Sequence, residues 1–467
     1  MKTLKFKISL STIVFLLMIL FLLQCRPPGD YPGTLIRKAV DNIMVINTHE
    51  HQRAPHEIPD DQYGFYHLLE YSYLNADVRS AGSSGYSVEK LDSLDNDALW
   101  DSYGQGLDYT RTTSYYGQFL KGFEKLYGFK DPYFTSENVS TLSGQIEENY
   151  KDYGKWFNEA FQKAGFELMF NDQYWNPFNC DLNEKYFALV FHINPLVMEA
   201  SSRPEPGSEK KGIYKQAETD GFSISTLDDY LGYCDYLFTK NVDHNAVCVK
   251  NSMAYSRSLD YEDIPYEEAR KLFERPSGSL TPDEAKKIQD FMFHWVIQKS
   301  RDHELPIQIH TGYLAGNGNV LDNGKPVKLN NLFLKYPDAK FVLFHGGFPW
   351  TGEYAAFGKM FPNVYLDIVW LPQISREEAV SALDVMLDCM PYNKFFWGGD
   401  CGLIEESTGS LEFAKDVLIE VLTKRIKRGV LTEDVALEIV RSIFRENAIE
   451  TFQLDKRMKR DFERMRL

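Results

Sequence analysis

Met44-Val45-Ile46-Asn47-Thr48-His49-Glu50-His51 is the stretch that decides how the rest of the chain is read. An apolar, partly β-branched run ends in two histidines separated by one residue, and the period of two of an extended chain sends both imidazoles to one side. Two neutral imidazoles at one strand end make half of a site for zinc or a similar divalent ion. Taken alone the triplet is a weak signal. It gains weight from three later segments: Gln308-Ile309-His310, Phe344-His345-Gly346-Gly347 and Trp397-Gly398-Gly399-Asp400. These put coordinating side chains at the ends of apolar runs, where a barrel core would otherwise stay apolar.

Working outward, short apolar runs rich in β-branched and aromatic residues recur between helix-like stretches, the pattern of βα units and a parallel sheet. Eight are legible: Ile43 to Thr48, Phe166 to Asn171, Tyr186 to Ile193, Asn245 to Lys250, Pro306 to His310, Lys340 to His345, Asn363 to Ile368 and Lys394 to Gly399. Eight parallel strands close into a barrel with its active site at the C-terminal mouth. The expected class is therefore α/β, a (β/α)8 TIM barrel over 43–467. Helices are expected at Thr226 to Thr239, Pro282 to Lys299, Leu329 to Tyr336, Gly352 to Met360, Arg376 to Met390, Leu411 to Arg428 and Thr432 to Phe452.

The segment 52–165 is far too long for an ordinary βα loop, which takes about 2 to 6 residues. Its helical runs, Tyr66 to Tyr73, Val88 to Trp100, Tyr115 to Leu126 and Thr141 to Ala164, predict a helical cap inserted after the first strand. Tyr63, Phe65, Tyr66, Tyr71, Tyr73, Tyr115 and Tyr116 are read either as pocket lining or as the cap's own core. The stretch Ser201 to Ser225 is expected to be a surface loop.

The formal net charge of -16 over 467 residues argues against a nucleic-acid binder, which needs a basic surface to displace counterions. At the other end of the argument, 1–25 reads as a targeting segment: Lys2, Lys5 and Lys7, then an apolar run to Leu23, then Gln24-Cys25. This resembles a bacterial lipoprotein signal with Cys25 as the lipidated residue, and 26–42 then forms a tether and lead-in to the barrel. The expectation is a lipid-anchored protein of the bacterial cell envelope, periplasmic or on the cell surface. Cys180, Cys234, Cys248, Cys389 and Cys401 show no paired spacing that would make a zinc ribbon or disulfide framework.

The constellation resembles the amidohydrolase superfamily, more narrowly its amidohydrolase-2 branch, whose members include metal-dependent decarboxylases. The resemblance also rests on His310-Thr311-Gly312, His345-Gly346-Gly347-Phe348-Pro349, Val364-Tyr365-Leu366-Asp367 and Glu446-Asn447-Ala448. It implies that His49, His51, His310 and Asp400 hold the metal, while His345 binds a second ion or assists catalysis. Gly398-Gly399-Asp400 departs from the commoner Gly-Ser-Asp. Lys250 falls on the strand where binuclear members carry a carboxylated lysine, so it is read as a bridge between two metals, a grip for a substrate carboxylate, or a structural ion pair. The segment 250–259 also looks like amidohydrolase-like modules joined to glutamine-synthetase-like domains.

These residues predict a hydrolase that attacks a C–N or C–O bond of an amide, lactone or ester in a small, carboxylate-bearing substrate through a metal-activated water. One or two divalent ions are expected, zinc first, with manganese or another divalent ion as the alternative. Asp400 is the candidate proton carrier and His345 the candidate oxyanion stabiliser. Arg111 and Arg257 are candidate cationic grips, Asp367 is expected to order the mouth by hydrogen bonding, and His192 is expected to be a hydrogen-bonded core histidine. Two rival readings stand beside this: a decarboxylase or uronate-isomerase-like enzyme on the same site, and a surface lipoprotein that only binds a ligand.

Overall fold

The computed structural model describes residues 32–54, 57–58, 63–205 and 207–462. The signal segment, Cys25 and the first part of the tether therefore lie outside the described residues. Residues Pro32–Asn42 form a helix that packs against the helix Ile404–Lys427, with Arg37 paired to Asp416 at 2.8 Å. Among the described residues no helix is long and apolar enough to cross a membrane.

All eight expected strands are present, each hydrogen-bonded in parallel to the next in chain order. They are β1 Val45–Glu50, β2 Phe166–Asn171, β3 Phe187–His192, β4 Cys248–Asn251, β5 Ile307–Ile309, β6 Phe341–Leu343, β7 Val364–Asp367 and β8 Phe395–Phe396. Helices cover the outside while side chains fill the inside, so these strands are buried on both faces and read as unbroken apolar runs. The barrel is drawn together by backbone bonds between β1 and the segment after β8: Thr48 donates to Trp397 at 3.2 Å, Asp400 to His49 at 2.8 Å and His51 to Cys401 at 2.9 Å. Closure therefore brings the two ends of the sequence pattern, the paired histidines and Asp400, edge to edge.

Between β1 and β2 lie the helices Phe65–Tyr71, Leu74–Ser80, Val88–Leu91, Asn96–Tyr109, Ser114–Tyr127, Ser136–Tyr150 and Tyr153–Ala164. Two runs expected as single helices are each divided. Asp95 accepts from the backbone of Ala98 and Asp152 from that of Lys155, so each begins a new helix inside the expected run. The segment expected as a surface loop at Ser201 to Ser225 contains the helix Gly212–Thr219, whose Ile213 and Tyr214 are buried. The helix Ile404–Lys427 starts seven residues earlier than its apolar period suggested, and that earlier turn matters.

Glu405 in this first turn is 1% exposed and receives three donors from the insertion: Tyr127 Oη at 2.7 Å, Trp156 Nε1 at 2.8 Å and Tyr150 Oη at 3.0 Å. Three inserted helices are thus tied to one carboxyl. The helix Ser114–Tyr127 can come this close because glycine meets glycine: a Cβ on Gly122 would lie 2.2 Å from the Glu405 carbonyl oxygen, and one on Gly409 would lie 2.0 Å from that of Gln118. Replacing Glu405 with alanine leaves three buried donors without an acceptor. The expected loss is about 3 kcal/mol or more of stability, read as a lower urea midpoint, with Glu405→Gln less affected because its carbonyl oxygen still accepts.

Candidate metal centre

The histidine pair sits at an irregularity of β1. Asn47 pairs with Met169 and Glu50 with Asn171, so three steps on β1 span two on β2 and the chain bulges at Thr48 and His49. Simple alternation does not hold there, yet both rings still reach one acceptor. Nε2 of His51 is 3.1 Å, and Nε2 of His49 3.4 Å, from the same Asp400 Oδ1. One donor atom each from His49, His51 and Asp400 lie within 4.8 Å of one another.

Proton bookkeeping shows what this cluster wants. His51 Nδ1 lies 2.8 Å from the backbone carbonyl of Asp172, which can only accept, so the ring hydrogen is on Nδ1 and Nε2 turns a lone pair toward Asp400. A proton or a metal cation must sit between two such electron-pair donors. Burial alone would lower the His51 pKa, but the hydrogen bond and charge of Asp400 outweigh it and hold it above its ordinary value. That attraction is the protonic form of the one a divalent ion would exploit.

The same logic applies to the next pair. His345 Nδ1 is 3.1 Å from the carbonyl of Val369 and His310 Nε2 is 2.8 Å from that of Tyr313, so each ring spends its hydrogen on the backbone. The remaining nitrogens, His345 Nε2 and His310 Nδ1, face each other at 3.0 Å as two lone pairs. Burial pushes His310 down to about 3 and His345 well below its ordinary value, which keeps both rings neutral. His345 Nε2 is also 3.9 Å from Asp400 Oδ2. The Asp400 carboxylate thus has His49 and His51 at one oxygen and His345, with His310 behind it, at the other. The structure departs here from the expected role of His345. An oxyanion stabiliser needs a hydrogen on Nε2, and the Val369 carbonyl holds that hydrogen on Nδ1, so the ring is set to donate electrons.

Asp400 is held by force. Its φ is +62°, and His345 and Trp370 beside it are at +64° and +62°, a left-handed region that costs ordinary residues about 1–3 kcal/mol each. The Tyr73 hydroxyl donates to the Asp400 carbonyl at 2.5 Å, and the Cys401 backbone donates to the buried Glu50 carboxyl at 2.6 Å. Glu50 also explains Gly399. A Cβ there would lie 2.1 Å from Glu50 Oε1, so the space a serine would need is already filled. On the neighbouring strand Asp367 accepts from Thr48 Oγ1 at 2.5 Å and from the Val369 backbone at 2.9 Å, the ordering role expected of it.

Above the cluster lies a cavity of about 500 Å³ whose wall includes His51, Asp172, His192, Lys250, His310 and Asp400. Tyr63, Tyr71 and Tyr73 of the insertion reach it, whereas Tyr66 and Tyr115 pack elsewhere in the core. Lys250 Nζ lies 3.1 Å from His49 Nε2 and 4.1 Å from the centre of the Phe344 ring. No carboxylate lies within ion-pair distance of it among the described residues, so the plain salt-bridge reading does not hold. Burial lowers its pKa, against the pull of Asp400 and Asp172. The two arginines expected as grips are committed elsewhere: Arg257 pairs with Asp290 at 2.5 Å, and Arg111 pairs with Asp108 at 2.5 Å and covers Tyr133. Among the described residues the arginine in the cavity wall is Arg53, lying 5.0 Å from the centre of the Trp175 ring. It stands two residues beyond His51, close enough to the histidine pair for the sequence to have pointed to it.

Residues 279–454 match the family model described as Amidohydrolase. The match covers less than half of the chain, from the helix before β5 to the end of the barrel, and there the chain is similar to amidohydrolases. The chain is also 26% identical over 229 residues to Protein fluG of Emericella nidulans, a match covering 46% of this chain and 26% of that protein. The aligned stretch therefore spans about a quarter of that curated relative's length. Among solved structures, it resembles glucuronate isomerase from Caulobacter crescentus (TM-score 0.73, 15% identity, 92% of this chain and 95% of that one). Uronate isomerases from Thermotoga maritima (TM-score 0.72, 15% identity, 91% and 98%) and Bacillus halodurans (TM-score 0.64, 14% identity, 90% and 96%) superpose similarly. At these identities the likeness establishes the fold.

Two outcomes follow from this geometry. Gly399→Ser must displace Glu50 and loosen Asp400, which is expected to weaken metal affinity about 10- to 100-fold in a competition titration against a chelator. Glu406 in the cavity wall accepts from the Tyr73 backbone at 2.8 Å, and burial pushes its pKa up from 4.5 to about 8. A raised carboxyl pKa gives stability that is complete below the unfolded value and is lost as pH rises through about 8. Glu406→Gln should therefore flatten the fall in thermal midpoint between mildly acidic and alkaline pH.

Proposed function

We propose that this protein is an amidohydrolase-like metal-dependent hydrolase that cleaves a C–N or C–O bond, in an amide, lactone or ester, of a small carboxylate-bearing substrate by adding water across it. The observation that carries the reading is the convergence of imidazole lone pairs on the two oxygens of Asp400, at the floor of a cavity large enough for a small molecule. His49, His51 and Asp400 would hold one divalent ion, expected to be zinc, and His310 with His345 would contribute to it or to a second. When bound, such an ion supplies a Lewis acid that acidifies water and polarises a carbonyl.

The chain's own groups do the rest. Asp400 lies where it can take a proton from water and release it later. Among the described residues, Lys250 and Arg53 are the lysine and arginine of the cavity wall and supply charge for a substrate carboxylate, Lys250 as a point charge and Arg53 as a planar fork. Tyr63, Tyr71 and Tyr73 give the inserted helices an aromatic contact with the bound molecule. A second reading, isomerisation of a sugar acid on the same residues, comes from the whole-length likeness to uronate isomerases; decarboxylation would be a third use of the same floor.

The deciding experiment assays metal-loaded protein against N-acyl amino acids, sugar lactones and uronates, with products weighed by mass spectrometry. Hydrolysis adds the mass of water, isomerisation leaves mass unchanged and decarboxylation removes carbon dioxide. His49→Ala and Asp400→Ala are expected to lose bound metal and turnover together, and a variant that keeps turnover would refute the assignment. We also propose that lipidated Cys25 anchors the enzyme in the cell envelope. Cys25→Ala is then expected to move the protein from the membrane fraction to the soluble fraction of the expressing cell.

A further inference from the structure

The cavity contains a second device, on the β2–β3 side of the barrel mouth, whose imidazole is not among the candidate metal ligands. His192 ends β3, and its Nδ1 lies 3.0 and 3.2 Å from the two oxygens of Asp172, the residue directly after β2. Both side chains are almost completely buried, yet both line the cavity together with His51, Lys250 and Asp400. We propose that His192 is a catalytic proton donor to the leaving atom of the substrate, and that Asp172 is its positioning residue.

A carboxylate can only accept, so the hydrogen between Asp172 and His192 resides on Nδ1. Both carboxylate oxygens of Asp172 lie against that one nitrogen, which leaves the ring a single orientation. Asp172 therefore fixes the ring's hydrogen and orientation and turns Nε2 toward the cavity, and its carboxylate faces the ring from the side opposite the proton that Nε2 passes on. No described residue hydrogen-bonds to Nε2, which leaves that nitrogen for a ligand. Asp172 has a double hold on the site, because its backbone carbonyl sets the His51 hydrogen while its carboxylate sets that of His192. His192 and the Asp400 side thereby keep a fixed relation across the mouth.

The inference rests on the hydrolase reading and divides its proton work between two groups. Water forms a bond to the carbonyl carbon and gives a proton to Asp400. The bond from that carbon to nitrogen or oxygen breaks, its electron pair stays on the departing atom, and that atom takes the Nε2 proton of His192. Asp400 returns its proton to solvent and His192 regains one from solvent, so one water is consumed and no other reagent is needed. The ligand class this predicts is an amide or ester with a poor leaving group, for which proton donation limits the rate.

The test uses full-length metal-loaded enzyme and two esters of one accepted acyl group, the methyl ester and the 4-nitrophenyl ester. His192→Asn is expected to keep its metal content and to lose about 10²- to 10⁴-fold in kcat on the methyl ester, but less than tenfold on the 4-nitrophenyl ester, whose leaving group departs without a proton. Equal losses on both esters, or none on either, would overturn the proposal. If His192→Asn does not fold, His192→Gln repeats the comparison. A substrate-free measurement separates this from the hydrolase reading: ¹⁵N-histidine spectra of the wild type above neutral pH should show His192 protonated on Nδ1, and Asp172→Ala should shift the hydrogen to Nε2. Failure of every ester, amide and lactone with the wild type would sink the hydrolase reading. A wild-type His192 with its hydrogen on Nε2 would sink the dyad whatever the substrate proves to be.

Discussion

The Asp400 carboxylate, with imidazole lone pairs facing both of its oxygens, is the constraint that the rest of the molecule serves. Electron-pair donors buried at such distances repel unless a cation or proton lies among them, so the arrangement persists only because the scaffold over-determines it. Backbone carbonyls of Asp172, Val369 and Tyr313 each take the one hydrogen of a neutral ring and turn the other nitrogen inward. Left-handed backbone at His345, Trp370 and Asp400 places strain at this floor. The bonds that draw β1 to the segment after β8 are the same ones that set His49 beside Asp400. Barrel closure and site assembly are therefore one event.

The inserted helices contribute to both stability and site. Glu405 gathers Tyr127, Tyr150 and Trp156 from three of them, and the next residue, Glu406, faces the cavity and holds the Tyr73 backbone. Tyr73 in turn holds the Asp400 carbonyl through its hydroxyl. A continuous path of hydrogen bonds thus runs from the insertion to the strained aspartate. The seat of the inserted helices and the geometry of the metal ligands share a common support in the first turn of one helix.

Two kinds of polar group meet in the cavity. On the β8 side the lone pairs suit a cation. On the β2–β3 side, Asp172 and His192 form a dyad that suits proton exchange, with Lys250 and Arg53 as positive charge nearby. Bond polarisation and proton delivery can act on one small substrate from different sides, which is what breaking a stable amide or ester demands.

The eight strands, their order and the candidate ligands were legible in the sequence because a parallel strand buried on both faces leaves an apolar run, and a coordinating residue at its end breaks that run visibly. Boundaries were less legible: Asp95 and Asp152 restart helices inside continuous apolar patterns, and the turn holding Glu405 and Glu406 precedes the periodic part of its helix. Partnership was not legible at all. Arg257 and Arg111 looked like grips until Asp290 and Asp108 were found beside them, His192 looked inert until Asp172 met it, and Gly399 was only a departure until Glu50 filled its space. A linear pattern records which side chains can coordinate or carry protons. Only the closed barrel decides which acceptor each hydrogen points to, because those acceptors are mostly backbone carbonyls and buried carboxyls contributed by distant strands.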